Sequence, residues 1–322
     1  MKTTPAITVL MPAYNAAAYI TEAIQSVLRQ SFTCFELLVI NDGSTDNTEN
    51  IVRNFSDPRI RLINQPHSGV SAALNLGLVN AAANLVARFD ADDCCYPERL
   101  KVQYDFLQSH PGHVLVGSDV NYADRNGTHL YRYYNAAYDH EAIKKYIHSG
   151  CPFVHSSVMY KKDIALELGG YDERAHSFED YRLWIQFISK GHVCNLDQAL
   201  IMVRLNPESV TVDEKLRGRR FARLKKEMLF SEIISKKQEA EMLQILQSQN
   251  FSGFKKYSYN ILVAKKYLWN NYQPVKARQN VKHAIRLKPL QLTGYGLLLM
   301  SFLPKNIVSF FYNGYKSFAG SI

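Results

Sequence analysis

Apolar residues along this chain follow two rhythms. Short, near-continuous runs of strand length occur at Ile7–Met11, Phe35–Ile40 and Leu85–Phe89. Such runs suit strands buried on both faces, as in a parallel sheet. Between them the spacing turns helical: Ile20, Ala23, Ile24, Val27 and Leu28 share one face, and residues 70–83 form a second helix. A further strand is predicted over residues 59–64. The alternation of strand and helix with short loops predicts an α/β domain with a mostly parallel sheet and right-handed crossovers. Later, Pro97 is expected at the first position of a helix whose buried face is Leu100, Tyr104 and Leu107. Strands are expected at residues 114–117 and 156–160. Phe178 to Tyr181 opens a helix carrying Leu183, Trp184, Phe187 and Ile188. Residues 121–148 are aromatic and irregular, which predicts a substrate-facing insertion. Asp46 with Glu49 three residues on predicts an N-cap with a capping-box partner.

The strand at Leu85 ends abruptly in Asp90, Ala91, Asp92 and Asp93. Open α/β sheets bind ligands at the carboxyl ends of their strands. Three carboxylates so close repel one another unless something positive sits among them. A hard divalent cation, Mg²⁺ or Mn²⁺, shared with a phosphorylated substrate is the simplest partner. The plainer alternative is a solvated acidic loop capping the helix after Pro97. Two other strand ends are also polar: Pro12-Ala13-Tyr14-Asn15, and Asp42-Gly43-Ser44-Thr45-Asp46. Nothing resembles a glycine-rich dinucleotide fingerprint or a Walker phosphate loop.

Charge divides the chain. Up to Glu214 there are 18 basic and 25 acidic residues; from Lys215 there are 20 basic and 4 acidic. We therefore expect a catalytic domain over residues 1–214 and a basic helical extension over residues 215–322. The extension calls for an anionic partner, a membrane surface or a nucleic acid. In its first helix Phe221, Leu224 and Met228, then Phe230, Ile233 and Ile234, are spaced to pack on their own domain. A helical hairpin is predicted around Lys265-Lys266 and residues 277–288. Residues 290–311 are largely apolar and uncharged apart from Lys305, but interrupted by Gly294, Gly296 and Pro304. That stretch suits a segment lying at a membrane interface better than one that spans it. The nucleic-acid partner is disfavoured because no recognised binding fold accompanies the charge. Five cysteines without zinc spacing, and no signal peptide before them, predict free thiols in a reducing cytosol.

The four motifs Pro12-Ala13-Tyr14-Asn15, Asp42 to Asp46, Asp90 to Asp93 and Glu179-Asp180 occur in order between Ile7 and Arg204. Together they resemble the family 2 glycosyltransferases, inverting, nucleotide-sugar-dependent enzymes of the GT-A fold. The resemblance implies a twisted, mostly parallel sheet flanked by helices, and a metal held by Asp92 with help from Asp90. It implies Asp180 as the base that deprotonates the acceptor hydroxyl, with Glu179 beside it. Pro12, Ala13, Tyr14, Asn15, Asp42, Asp90 and Ala91 would bind the nucleotide sugar, expected to be a UDP-sugar. His67 departs from the residue more usual in the loop Gln65 to Gly69, which leaves base choice open. His155 is expected to be structural, with contact to the diphosphate as the alternative. Asp172 and Glu173 line the acceptor pocket or shape a turn. The implied activity is hexosyl or N-acetylhexosaminyl transfer to a glycan or lipid-linked acceptor at the cytoplasmic face of a membrane. The contrasting expectation is an inactive nucleotide-sugar-binding scaffold that recruits partners through its tail.

Overall fold

The computed structural model describes residues 4–207, 217–249 and 252–311. The chain opens with β1 (Ile7–Ala13), α1 (Ile20–Leu28), β2 (Phe35–Asp42), α2 (Thr48–Arg53), β3 (Ile60–Gln65), α3 (Val70–Asn80) and β4 (Leu85–Arg88). These four strands pair in parallel in the order β3-β2-β1-β4. Every residue of β2 is buried, as the apolar run predicts. The polar residue inside its apolar run, Glu36, is satisfied by Thr8 Oγ1 at 2.7 Å, the Ala82 amide at 2.6 Å and Arg61 at 2.7 Å. Buried polar groups are tolerated on that condition. Gly77 lets α3 approach β1: a Cβ there would lie 2.1 Å from Leu10 Cδ1.

Register fixes where the strands stop. Ala13 faces Asn41, Asp42 faces Gln65, and Leu10 faces Arg88. The segments after β1, β2, β3 and β4 therefore emerge along one edge of the sheet, the edge that carries Tyr14, Gly43, Pro66 and Asp90.

The sheet continues through β5 (Cys94–Cys95), α4 (Arg99–Ser109), β6 (His113–Ala123), β7 (His129–Tyr133), α5 (His140–Tyr146), β8 (Met159–Lys161), α6 (Lys162–Glu167), α7 (Glu179–Phe187) and β9 (His192–Arg204). Here the pairing changes: β8 runs antiparallel to both β4 and β6, and β5 antiparallel to β9. The α/β expectation is met, with the first four strands all parallel. α7 is held by Trp184, which is fully buried with its ring edge-on to Phe153 and Phe187.

The last helices are α8 (Gly218–Phe230), α9 (Lys236–Gln249), α10 (Ser252–Trp269), α11 (Pro274–Leu287) and α12 (Leu292–Met300). In α8 and the segment after it Phe221, Leu224, Met228 and Ile234 are buried, while Phe230 and Ile233 are exposed. α10 and α11 form the predicted hairpin.

Two compact units divide the described residues. One is drawn from Met1–Asn121, Arg132–Val203 and Lys226–Glu239, the other from Tyr122–Tyr131, Arg204–Lys225 and Ala240–Ile322. The boundary expected at Glu214 lies outside the described residues, and the units interleave along the chain. The helical unit has its own core, built from Leu130, Leu205, Tyr257, Ile261, Tyr267, Val281 and Ala284 among others. Tyr122 and Tyr131 stack at 5.0 Å and pack against that core. Part of the aromatic stretch expected to face substrate is thus a structural hairpin, since a stacked tyrosine pair buries more apolar surface than a loop exposes.

Candidate active site

Immediately after β4 the chain turns at Asp90 to Asp93, with the Asp93 amide 3.3 Å from the Asp90 carbonyl. The carboxylates of Asp90, Asp92 and Asp93 offer oxygens within 4.8 Å of one another. Ala91, between them, is buried. Asp93 is itself buried and accepts a 2.5 Å hydrogen bond from Ser156 Oγ. The positive group among them is Arg88, which ends β4 and is only 3% exposed. Its guanidinium pairs with Asp90. Burial opposes the charged form of Arg88, but the carboxylate of Asp90, aided by that of Asp93, outweighs it and holds the group charged. Arg88 Nε is buried and makes no hydrogen bond. One guanidinium against three carboxylates leaves the cluster negative. An all-oxygen donor set of this kind suits Mg²⁺ or Mn²⁺ rather than a softer metal.

Glu179 and Asp180 open α7, where no side chain caps the helix and first-turn carboxylates meet the favourable end of its dipole. Asp180 Oδ1 accepts from the Tyr181 amide at 2.7 Å. Glu179 is buried, and burial together with the neighbouring charge of Asp180 pushes its carboxyl up to about 7, against the pull of Arg88. His155 Nδ1 lies 3.9 Å from Asp180 Oδ2, and its Nε2 lies 3.3 Å from the Tyr171 hydroxyl. Burial, then the charge of Arg88, lowers the His155 imidazole well below its usual range, so it stays neutral. The single turn His155–Ser157 therefore touches both acidic groups: Ser156 reaches Asp93 and His155 reaches Asp180.

The ends of β1 and β2 are tied to each other and to the loop after β3. Pro12 and Ala13 finish β1. Tyr14 is 47% exposed and stacks on His67 with centroids 4.0 Å apart, so it does not serve the core. Asn15 adopts a left-handed φ of 48°. Its amide donates to Ser44 Oγ at 3.0 Å and its Oδ1 accepts from the Thr45 amide at 2.8 Å. Gly43 is required: its φ is 67°, and a Cβ would sit 2.6 Å from the His67 amide nitrogen. Asp42 is buried with both oxygens engaged. Oδ1 accepts from Gln65 Nε2 at 2.5 Å and the Ser68 amide at 2.8 Å; Oδ2 accepts from the Gly69 amide at 2.9 Å and lies 2.9 Å from His67 Nδ1.

Residues 8–169 match the family model for glycosyl transferase family 2, half of the chain. The putative glycosyltransferase EpsE of Bacillus subtilis is 33% identical over 211 residues, which is 63% of this chain and 74% of that protein. The chain belongs to glycosyltransferase family 2.

The amylovoran biosynthesis glycosyltransferase AmsE of Erwinia amylovora is 31% identical over 208 residues, covering 63% of this chain and 77% of that one. S. aureus TarS 1–349, solved in complex with UDP-GlcNAc, superposes with a TM-score of 0.56 at 18% identity, over 96% of this chain and 91% of that chain. The mannosyltransferase PcManGT from Pyrobaculum calidifontis, solved with GDP-Man and Mn²⁺, gives 0.54 at 16% identity, over 98% and 88%. These likenesses establish the GT-A fold of this family 2 glycosyltransferase.

The residues singled out from its sequence form two groups. Asp90, Asp92 and Asp93 meet around Arg88, whose field also reaches His155, Tyr171 and Glu179. Tyr14, Asn15 and Asp42 gather at the neighbouring strand ends. His155, expected to be structural, stands between the acidic groups. Arg88 carries no expectation from the sequence; a lone arginine closing an apolar strand just before three aspartates is its signal. Asp172 shapes a turn, pairing with Arg174 at 3.0 Å and with the buried Arg182 at 3.1 Å. The capping box does not form. Asp46 Oδ1 accepts from the Thr48 amide, but Glu49 turns away to Arg53 and Asn64, because a cation within the same helix offers a stronger partner. Pro97 precedes the first turn of α4 rather than opening it.

Proposed function

We propose that this chain transfers a glycosyl group, with inversion, from a nucleoside diphosphate sugar to an acceptor hydroxyl. The observation that carries the proposal is the turn His155–Ser157, which joins the carboxylates after β4 to the pair opening α7. An inverting transfer needs two such centres: one for the departing diphosphate, one for the acceptor proton. Asp92 and Asp90 would hold a divalent cation, with Asp93 steadied by Ser156. When bound, such an ion neutralises charge on the leaving diphosphate. The acceptor oxygen bonds to the anomeric carbon as the bond to the diphosphate oxygen breaks, and the acceptor proton passes to Asp180.

The two adjacent carboxylates divide the work. Like charges side by side push their titrations apart. Buried Glu179 takes the rise, its carboxyl pushed up to about 7, and the more accessible Asp180 is the carboxylate assigned to receive the acceptor proton. Neutral His155 shields the Asp180 carboxylate without neutralising it. On the donor side, exposed Tyr14 stacked on His67 offers a face for a base, with Pro12, Ala13, Asn15, Asp42 and Ala91 framing the edge. A uridine diphosphate donor is favoured by the TarS complex and a manganese ion by the PcManGT complex, each seen in that protein. Polysaccharide assembly is favoured by the name of AmsE.

We place the reaction at a membrane surface, with a glycan or lipid-linked acceptor. Among the described residues no helix is long and apolar enough to cross a membrane. Leu290 is 93% exposed, and Leu292, Leu299, Phe302 and Phe310 are also exposed around α12. Apolar side chains flanked by Lys288 and Lys305 suit the headgroup boundary of an anionic bilayer.

The deciding experiment is Asp180→Asn. Turnover should fall on the order of 10²- to 10⁴-fold while nucleoside diphosphate affinity, measured by calorimetry with Mn²⁺, is retained. Unchanged turnover would remove Asp180 from the mechanism.

A further inference from the structure

We propose that the helical unit carries a second ligand site, a pocket for a phosphate-bearing anion. A cavity of about 700 Å³ opens there, in the range of ligand sites, lined by the turn after β6 and by α10 and α11. Three segments each bring cations to it: Arg125 from the turn, Lys256 from α10, and Lys276 and Arg286 from α11, with His283 between them. Lys276, Asn280, His283 and Arg286 recur at helical spacing, so one face of α11 is turned to the cavity.

Surface lysines usually point into water and mean nothing. Two observations set these apart. The first is the fate of Asp124, the only carboxylate in the lining among the described residues. It is buried; its Oδ1 accepts from the amides of Asn126 and Thr128 at 2.9 Å, and its Oδ2 accepts from the Tyr267 hydroxyl at 2.9 Å. Its charge is spent on holding the turn and α10 together. Burial, then that hydrogen bond, raises the Tyr267 phenol, so the hydroxyl remains a donor to Asp124. The second is that, among the described residues, Arg125, Lys256, Lys276 and Arg286 make no ion pair. Elsewhere in the chain exposed cations do find carboxylates, as Lys101 does with Asp105 at 2.7 Å and Arg220 with Glu241 at 2.9 Å. Convergent, uncompensated cations at the mouth of a polar cavity match a ligand with several phosphate oxygens, which accepts from many donors at once. A carboxylate ligand would leave most of these donors unused.

Inorganic pyrophosphate titrated into the full chain by calorimetry, at low salt with EDTA present, tests this; chelation keeps the negative cluster after β4 from taking the probe. The expected result is saturable binding. The paired change Lys276→Glu with Arg286→Glu should weaken it by at least about tenfold. The control pair Lys237→Glu with Lys282→Glu alters net charge equally without lining the cavity, and should leave affinity within about threefold. Lys276→Gln with Arg286→Gln repeats the test should the reversal disturb folding. Absence of pyrophosphate binding, or an equal loss in the control pair, overturns the site. Co-sedimentation with phosphatidylcholine vesicles, with and without phosphatidic acid, identifies the source. Phosphatidic-acid-dependent binding lost in the cavity variant alone supports a phosphate presented on lipid. Vesicle binding untouched while pyrophosphate binding is lost supports a soluble one.

Discussion

Two charged regions of this protein are built on opposite rules. After β4, charges of both signs are taken into the fold: Arg88 and Asp93 are almost sealed from solvent, and each has a partner. In the helical unit, cations stand at the mouth of a cavity with no ion-pair partner among the described residues. The first arrangement costs desolvation and keeps its strength in salt, because little water reaches it. The second costs the fold almost nothing and is screened until a ligand arrives. Buried charge thus fixes geometry for chemistry, whereas rim charge is held in reserve for binding.

The sharpest way to break this contrast is to remove the buried cation. Arg88→Met leaves Asp90 and Asp93 uncompensated and should cost about 3–5 kcal/mol of stability, read as a lower midpoint in urea. Part of that loss should return with saturating Mn²⁺; a variant as stable as the parent would show that Arg88 compensates nothing. Next, Asp92→Asn should lower turnover by about 10²- to 10³-fold with a matching loss of Mn²⁺ affinity in calorimetry. Full activity in that variant would assign the metal elsewhere.

A smaller effect belongs to Glu179. Its carboxyl is raised by the fold from an ordinary value of 4.5 to about 7. Between those pH values the folded chain keeps a proton that the unfolded chain has lost, so stability is greatest below the window and declines as pH climbs through it. Glu179→Gln abolishes this decline. In EDTA it should be more stable than the parent at pH 8, by about 2–3 kcal/mol, and no more stable at pH 4. A constant difference across pH would refute the raised carboxyl. The smallest effect is expected at the rim, where Lys276→Gln should shift stability by less than about 0.5 kcal/mol. A large loss in thermal midpoint would mean that this lysine serves the fold after all.

The same contrast explains what the sequence let us see. β1, β2 and β4 were legible because strands covered on both faces must be apolar nearly throughout, and each ended where its side chains became polar. Asp90, Asp92 and Asp93 stood out as carboxylates crowded at a strand end, and Glu179 and Asp180 through the resemblance to the family. Arg88 did not, since an arginine inside an apolar run reads as an exception until its partner is placed beside it. His155 was hard to place for a like reason: its neighbours Asp180 and Tyr171 are both distant in sequence. The interleaving of the two units was hidden because it depends on where Tyr122 and Tyr131 pack, and two tyrosines look alike in a core and at a binding surface.

Asp42 has a consequence for selectivity. Three donors occupy three of its four lone pairs, and the His67 ring nitrogen 2.9 Å from Oδ2 crowds the last. A visiting group that reaches for this carboxylate must evict a resident, trading one bond for another instead of adding to the total. Discrimination at this position would then turn on how well a newcomer reproduces the geometry of the bond it displaces.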